Sequence, residues 1–294
     1  MANILITGGT GLVGRRLTEL LSAKKHEIRI LSRNPSAKNE FKWEVANNYI
    51  DEKALQGLDY IIHLAGAGIA DQRWSKERKK TIIDSRVATA NLIFLKIKEL
   101  KIPLKGFITA SGSNFYGAKT VDTIYKETDP AGNDFLGDVC LQWEKAAHQF
   151  ETLKIPVNIL RTGIVLSKNG GALEKMRTPI VSPLGSGKQY LSWIHIDDLC
   201  LMYLHAIEQK VSGVYNAVAP EHHTSTSFSK ILAKSIQRPF LPIRVPGFLL
   251  KLVFGELAVI LLEGSRLSST KIVSDGFQFQ YKTLNDAFSN LFQK

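Results

Sequence analysis

Residues Thr7 to Gly14 of this 294-residue chain read Thr-Gly-Gly-Thr-Gly-Leu-Val-Gly. A short apolar run, Asn3 to Ile6, precedes them, and a stretch of helix-forming residues, Leu12 to Leu21, overlaps their end. The glycines satisfy two spacings, G-x-G-x-x-G and T-G-x-x-G-x-x-G. A glycine-rich turn between a strand and a helix presents bare backbone N–H groups to an anion. The stretch predicts a site for a dinucleotide pyrophosphate; the alternative is a tight turn that only joins strand to helix.

Strand-like and helix-like stretches alternate along the rest of the first half of the chain. The predicted strands are Glu27 to Leu31, Asp59 to Leu64, Gly106 to Ala110 and Val157 to Arg161, and the longer predicted helices are Lys76 to Leu100 and Phe135 to Leu153. Such alternation predicts an α/β fold with a doubly wound parallel sheet and helices on both faces.

The alternation weakens after about residue 166, where glycines and prolines divide the chain into loops and short elements. Ligands of open α/β sheets bind beyond the carboxyl ends of the strands, where a loop-rich portion can form the far wall. We therefore predict a nucleotide-binding domain and a small C-terminal substrate-side lobe. The predicted domain spans residues 1–165 and 188–218, and the lobe spans 166–187 and 219–294.

The composition is that of an ordinary globular protein, with 44% hydrophobic and 22% charged residues. An excess of 38 Lys and Arg over 27 Asp and Glu gives a formal net charge of +11. That charge fits a binder of a polyanionic cofactor as well as a binder of nucleic acid or of an acidic membrane. The sequence has neither an RNA-binding aromatic signature nor a zinc-finger spacing, so it predicts no nucleic-acid partner.

The two cysteines, Cys140 and Cys200, lie far apart and outside any CxxC motif, which argues against a disulfide framework and a metal site. No signal peptide is recognised, because the first predicted strand starts at residue 3. The most apolar window, Phe248 to Leu262, is shorter than about 18 residues and contains charges, so it predicts a core helix or a subunit contact. These features predict a cytoplasmic protein with no membrane partner.

The end of the second predicted strand bears on the choice of cofactor. The residue about 20 positions past a dinucleotide-binding glycine loop meets the adenosine ribose, and an acid there favours NAD. Here the strand ends in Ser32-Arg33-Asn34, and no acid occurs between Glu27 and Glu40. An Arg fork can grip a 2′-phosphate and a Ser hydroxyl adds a donor, so NADP is predicted. The alternative is that Arg33 is a solvated loop cation.

Small residues follow the third predicted strand, in Leu64-Ala65-Gly66. Small side chains let a cofactor approach the backbone closely. The stretch predicts a wall of the cofactor site, the alternative being a plain turn at a strand end.

Taken together, motifs along nearly the whole chain resemble the extended branch of the short-chain dehydrogenase/reductase superfamily. Within it they resemble the atypical YfcH-type "epimerase family", which joins an NAD-dependent epimerase/dehydratase domain to a family-specific C-terminal tail. The motifs are Thr7 to Gly14, Leu31 to Pro35, Arg73-Trp74, Ser85 to Val87, Phe135 to Glu144, Arg161 to Leu166, Gly185 to Gly187, Ser192 to Asp198, Leu261 to Gly264 and Asp275 to Phe277. The resemblance implies a Rossmann core, NADP, an oxidoreductase or epimerase activity on an unassigned substrate, and a possible homodimer.

The same resemblance implies a set of cofactor contacts. It places Thr81 and Arg86 towards the phosphates or ribose and Val165 on the nicotinamide side, although Arg86 could instead form a surface ion pair. The whole predicted cofactor set is Gly8, Thr10, Gly11, Leu12, Val13, Gly14, Ser32, Arg33, Leu64, Ala65, Gly66, Thr81, Arg86 and Val165.

The catalytic pattern of that superfamily is absent from this chain. Its reductases use Tyr-x-x-x-Lys on one helical face, where the ammonium lowers the pKa of the phenol. Matching the corresponding helix on Glu144 puts Leu136 in place of the Tyr and Cys140 in place of the Lys. Neither residue can perform that chemistry, and we interpret Cys140 as a small buried residue.

Two residues after the strand Gly106 to Ala110 are candidate substitutes. Ser111 could orient a substrate oxygen or only cap the strand, and Tyr116 could be a proton donor or only a packed ring. Extended family members carry a catalytic Ser or Thr near here, but strict matching on Tyr116 places Gly112 at that point. Ser111 and Tyr116 are therefore the catalytic candidates, each with a structural alternative.

The stretch from Trp193 to Asp198 places an imidazole beside two carboxylates. Such a group can be an acid–base pair or a metal site. However, Asp197 and Asp198 directly precede a predicted helix, Leu199 to Ile207, so one of them is predicted as its N-cap and His195 as a structural hydrogen-bonding residue. The pair His222-His223 has no third ligand at metal spacing.

Two functions follow from these observations. The first is an NADP-dependent oxidoreductase or epimerase that acts on a small metabolite bearing a hydroxyl or carbonyl group. The second is a non-catalytic NADP(H)-binding sensor or scaffold, favoured by the missing Tyr and Lys. The fold alone does not choose between them.

Overall fold

The computed structural model describes residues 1–292, and a sheet of eight strands forms its centre. The strand order across the sheet is β11-β8-β6-β5-β1-β2-β3-β4, and each neighbouring pair is parallel except β3 with β4. The strands are β1 (Asn3–Thr7), β2 (Glu27–Ser32), β3 (Glu40–Glu44), β4 (Tyr49–Ile50), β5 (Tyr60–His63), β6 (Gly106–Gly112), β7 (Ile124–Tyr125), β8 (Val157–Thr162), β9 (Ile164–Leu166), β10 (Trp193–His195), β11 (Gly213–Ala217) and β12 (Arg266–Leu267).

Helices cover both faces of the sheet, as the strand–helix alternation predicts. The helices are α1 (Leu12–Ala23), α2 (Lys76–Glu99), α3 (Phe135–His148), α4 (Ala172–Met176), α5 (Ile196–Glu208), α6 (Ser225–Ser235), α7 (Gly247–Phe254), α8 (Val259–Leu262), α9 (Thr270–Ser274) and α10 (Leu284–Phe292). Five short 3-10 helices join them, at Val45–Asn47, Glu52–Leu55, Ser113–Tyr116, Gln149–Leu153 and Gly255–Ala258.

Alternating side chains of β1 divide the core into two layers. Ile4 and Ile6 pack with α1 and α5, whereas Leu5 packs with α2 and α3 on the other face. A strand buried on both faces needs apolar residues at consecutive positions, which is why β1 reads as a continuous apolar run. The doubly wound Rossmann fold is confirmed, and β1 and β5 lie side by side where the strand order reverses.

The C-terminal elements form a separate apolar cluster around Trp193, Phe228 and Phe288. Asp198, fully buried in the first turn of α5, accepts hydrogen bonds from the backbone N–H groups of Gln280 and Tyr281 at 2.8 and 3.0 Å. These hydrogen bonds attach the C-terminal segment to α5. The division into domain and lobe at the residues given above stays a prediction.

The start of α5 differs from the sequence prediction. His195, rather than Asp197 or Asp198, is the N-cap, and its Nδ1 accepts a hydrogen bond from the N–H of Asp197 at 3.1 Å. Asp197 instead pairs with Arg16 of α1 at 2.6 Å. A neutral imidazole nitrogen can cap a helix as an oxygen does. The sequence pattern predicted an Asp as the cap because Asp is the commoner N-cap residue.

Of the two interpretations of Phe248 to Leu262, the core helix is wrong, whereas the subunit contact stays a prediction. The segment is divided among α7, a 3-10 turn at Gly255–Ala258 and α8, because Gly255 adopts a positive φ of 60°. In α7 only Leu250 is buried. Of the helices within residues 1–292, none has both the length and the apolarity needed to cross a bilayer.

Candidate cofactor site

The glycine loop forms the β1–α1 turn and leaves the N-terminus of α1 open. Gly8 has a φ of +70°, and its carbonyl accepts the N–H of Gly11 at 3.0 Å. A Cβ on Gly14 would lie 2.3 Å from the carbonyl oxygen of Gly8, so the first helical turn can pack on the loop only without a side chain there. Neither a capping side chain nor an acid occupies the first turn of α1. The free N–H groups and the helix dipole therefore suit an anion.

The ends of β1 and β5 are joined behind the loop by a buried histidine. Thr7 Oγ1 accepts the N–H groups of Leu64 and Ala65, so its own proton is donated to His63 Nδ1 at 2.8 Å. His63 Nε2 then faces the carbonyl of Arg86 at 3.4 Å. This chain of bonds fixes the backbone that the cofactor approaches.

Burial lowers the pKa of His63 to about 4. Because the unfolded-state pKa is about 6.5, the unfolded chain takes up the proton first, and stability is lost as the pH falls from about 6.5 towards 4. Between pH 7 and pH 5 the wild type is expected to lose about 2 kcal/mol more unfolding free energy than His63→Gln, measured by urea denaturation. Exposed His148→Gln is the control, and parallel curves for wild type and His63→Gln would refute the expectation.

At the end of β2, Ser32 is half-buried and Arg33 is exposed. Ser32 Oγ accepts the N–H of Asn34 at 3.3 Å, which turns the chain away from the sheet. Glu40, the next acid after Arg33 along the chain, accepts a hydrogen bond from the N–H of Ser36 at 2.8 Å. The end of β2 therefore carries a cation, Arg33, and a hydroxyl, Ser32, whereas the carboxylate of Glu40 is hydrogen-bonded to Ser36.

Arg86 is a buried cation without a carboxylate partner in the described part of the chain. Its side chain is 9% exposed, and burial lowers the pKa of its guanidinium. The guanidinium lies 4.9 Å from the ring centroid of Trp143, and Nη1 donates to the carbonyl of Ile82 at 2.8 Å. A Cβ on Gly66 would approach it to 3.0 Å. Burying a charge without a partner is costly, so this arrangement calls for an anion in the adjacent cleft.

For two other residues of the predicted cofactor set, Thr81 and Val165, contact with the cofactor stays a prediction. Thr81 is exposed on α2, and its hydroxyl donates to the carbonyl of Glu77 at 2.9 Å. Arg86 lies five positions further along the same helix, so the two side chains point about 140° apart. Val165 lies on β9 opposite Ile194 of β10 and is half-buried.

The two predicted catalytic residues are held in one buried polar network. Ser111 donates to Glu144 at 2.7 Å, and Arg161 donates to both oxygens of Glu144 at 2.9 Å. Arg161 also donates to the Tyr116 hydroxyl at 2.9 Å, and that hydroxyl donates to Asn216 at 2.8 Å. Burial raises the pKa of Tyr116 to about 12, so the phenol keeps its proton at neutral pH. The hydroxyl protons of both side chains are therefore donated to groups of the protein.

The face of α3 that would carry Tyr and Lys is apolar here. Leu136 is buried, and Cys140 lies against the carbonyl of Gly112 at 3.8 Å. Burial raises the pKa of the Cys140 thiol to about 11, so it is a neutral packing residue at neutral pH. Residues 1–292 also hold no cluster of three His, Cys, Asp or Glu side chains suited to a metal ion.

The sequence did not predict which residues contact one another in these sites. The buried pair Glu144–Arg161, the Trp143 platform beneath Arg86 and the Thr7–His63 bond all join distant parts of the chain. All of these residues except His63 belonged to a motif named above, but no local signal marked the pairing. A charged residue inside an apolar strand, such as Arg161 in β8, was the one usable hint.

The open helix N-terminus, the β1–β5 crevice and the basic rim together define a protein with an NAD(P)-binding Rossmann fold of the extended short-chain dehydrogenase type. Residues 4–135 match the model of the NAD dependent epimerase/dehydratase family, and residues 245–291 match a domain of unknown function, DUF1731. An epimerase family protein of Staphylococcus aureus is 34% identical over all of both chains. One of Mycobacterium bovis is also 34% identical, over 98% of this chain and 97% of its own.

Among solved structures, human epimerase family protein SDR39U1 with NADPH superposes with a TM-score of 0.88. It is 31% identical, and the match covers 99% of each chain. The present chain therefore belongs to the epimerase family, with the NAD dependent epimerase/dehydratase domain followed by the DUF1731 tail. The family predicted from the sequence motifs is confirmed.

Proposed function

We propose that this protein binds NADP(H) and acts as an oxidoreductase or epimerase on a small metabolite with a hydroxyl or carbonyl group. The observation that carries the cofactor part is the pair of cations Arg33, exposed at the end of β2, and Arg86, which is buried against Gly66 without a carboxylate partner among residues 1–292. The NADPH in the structure of the human relative supports the same choice. When bound, the cofactor supplies the hydride chemistry, and the protein supplies position and charge.

Arg33 is the residue proposed to select the 2′-phosphate. Arg33→Asp is expected to erase the preference for NADPH over NADH, because it removes the fork and repels the phosphate. The two affinities are measured by fluorescence titration, with exposed Lys38→Asp as the control for a charge reversal in the same loop. Equal affinity of the unaltered protein for both nucleotides would refute the assignment.

Arg86 is proposed to contact the cofactor's phosphates or ribose. Arg86→Met is expected to weaken NADPH binding about thirtyfold, which corresponds to loss of about 2 kcal/mol from a charge-assisted hydrogen bond. The same change removes a buried unpaired charge, so the free protein should be as stable as the wild type or more stable. Exposed Arg238→Met is the control. An NADPH affinity equal to that of the wild type, or a clear loss of stability in the free protein, would contradict this role.

A second candidate is a non-catalytic NADP(H)-binding sensor or scaffold. Two observations favour it: the hydroxyl groups of Ser111 and Tyr116 are hydrogen-bonded within the protein, and Leu136 and Cys140 replace the Tyr and Lys of the superfamily. The two candidates differ in turnover. NADPH oxidation is followed at the nicotinamide absorbance over a panel of carbonyl compounds, with Ser111→Ala and Tyr116→Phe. Turnover lost in either variant, with NADPH affinity kept, supports the enzyme, whereas tight binding without turnover supports the sensor.

A further inference from the structure

Two stretches of the chain carry positive charge and have no acidic residue within them. Residues 175–196 and 222–255 contain neither Asp nor Glu. All of their Lys and Arg side chains are exposed, and none forms an ion pair within residues 1–292. They are Lys175, Arg177, Lys188, Lys230, Lys234, Arg238, Arg244 and Lys251. We call residues 175–196 and 222–255 the basic surface.

The same region presents an apolar helix face to solvent. In α7, Phe248 and Leu252 are 68% and 73% exposed, and Leu249 and Val253 lie beside them on the same stripe at 42% and 60%. Outside α7, the exposed large apolar side chains of the basic surface are Ile180, Leu241 and Ile243. Scattered exposed apolar residues are ordinary, but a clustered set marks a contact surface.

The fold brings the two segments together. Val181 pairs with Phe240 and Leu184 pairs with Val245, so the exposed side chains at positions 180, 241 and 243 are neighbours in one part of the molecule that leads directly into α7. α7 also contacts the loop that precedes α2, where Arg73 Nη2 donates to the carbonyl of Leu252 at 3.5 Å. Its apolar face is on the exposed side of the helix.

We propose that the basic surface docks on the face of an anionic lipid bilayer, with α7 lying in the interface. An interfacial helix places its apolar side chains at the boundary between acyl chains and headgroups while cations reach the phosphates. Phe248 and Leu252 would enter that boundary, and Lys251 would extend its ammonium to the headgroups. α7 is about 12 Å long, which suits a helix lying in the plane rather than one that spans.

The charge distribution disfavours a second copy of the chain as the occupant. A two-fold contact places the same patch on both subunits, so unpaired cations of one copy would face those of the other. The prediction of no membrane partner followed from an apolar window that is too short and too charged to span a bilayer. A surface assembled from two segments binds at the interface and does not need to span it.

The test is flotation of the full chain with vesicles of phosphatidylcholine alone or of phosphatidylcholine and phosphatidylglycerol in equal amounts. Binding is expected only to the second kind and is expected to fall steeply with added salt, because screening weakens the headgroup attraction. Phe248→Ser with Leu252→Ser, and separately Arg244→Glu with Lys251→Glu, should each lower the bound fraction about tenfold. These side chains are exposed, and unchanged thermal unfolding confirms that the variants fold.

The matched controls change exposed residues elsewhere, Leu95→Ser with Leu141→Ser and Lys24→Glu with Lys38→Glu, and should bind as the wild type does. Absence of binding, equal binding to both vesicles, or equal losses in the controls would overturn the proposal. So would loss of self-association in the Phe248/Leu252 variant, measured by sedimentation, with vesicle binding unchanged. A further outcome would assign the surface to an acidic protein instead. In that outcome polyglutamate binds the chain as strongly as anionic vesicles do, and the Phe248/Leu252 variant binds polyglutamate as the wild type does.

Discussion

Replacement of Glu144 by Gln is expected to lower the free energy of unfolding by about 3 kcal/mol. Glu144 is 4% exposed, and its two oxygens accept three hydrogen bonds, two from Arg161 and one from Ser111. The Gln side chain keeps the shape but removes the negative charge, which leaves the guanidinium of Arg161 buried beside Phe115 without its partner. Removing one member of a buried ion pair is among the most costly single changes in a protein.

Urea denaturation of Glu144→Gln measures this loss, and Glu151→Gln is the matched control. Glu151 pairs with His148 at 3.0 Å on the surface, where such a pair contributes little, so its replacement should cost less than about 1 kcal/mol. The double variant Glu144→Leu with Arg161→Met should recover much of the lost stability, because no buried charge then remains. A loss below about 1 kcal/mol for Glu144→Gln would show that the pair is not the principal bond between α3 and β8.

Replacement of Gly14 by Val is expected to weaken NADPH binding by about a hundredfold, which corresponds to loss of one or two charge-assisted hydrogen bonds. A Cβ at this position would lie 2.3 Å from the Gly8 oxygen and 2.6 Å from the Gly9 Cα. Because the obstructing atoms are backbone atoms, the glycine loop must move away from α1. Its N–H groups are then no longer oriented to donate hydrogen bonds to the pyrophosphate.

The affinity of Gly14→Val is measured by NADPH titration, together with its thermal unfolding. Ala23→Val, at the exposed last residue of the same helix, is the control for a β-branched residue in α1 and should bind NADPH normally. Overpacking against the loop should also cost about 2 kcal/mol of unfolding free energy. Normal affinity in a folded Gly14→Val would mean that the loop is not the pyrophosphate site.

The network around Glu144 also bears on the choice between enzyme and sensor. Ser111 and Tyr116 line the end of β6, where a substrate oxygen would have to lie for either to act. Both are bonded to groups of the protein, so a catalytic role requires a substrate to replace one of those bonds. The cost of opening such a network is the physical reason to test turnover and binding separately.

The main elements of the nucleotide-binding half were readable from the sequence. The apolar runs at β1, β2, β5, β6 and β8 and the long helices α2 and α3 were all predicted, because strands buried on both faces are continuously apolar. β3 and β4 were not predicted. Their sequence, Glu-Phe-Lys-Trp-Glu and Tyr-Ile, alternates polar and apolar residues at the edge of the sheet and carries a weaker signal.

By itself the sequence determined the glycine turn of Thr7 to Gly14, the cationic end of β2 and the absence of Tyr-x-x-x-Lys, since each depends on residue types at fixed local spacing. Only the tertiary structure decided that Arg86 has no carboxylate partner within residues 1–292, that Ser111 and Tyr116 are bonded within one buried network, and that two acid-free segments form one basic surface. These features depend on contacts between residues far apart in the chain. Pairing, burial and charge at such contacts are properties of the packed molecule, which local periodicity does not encode.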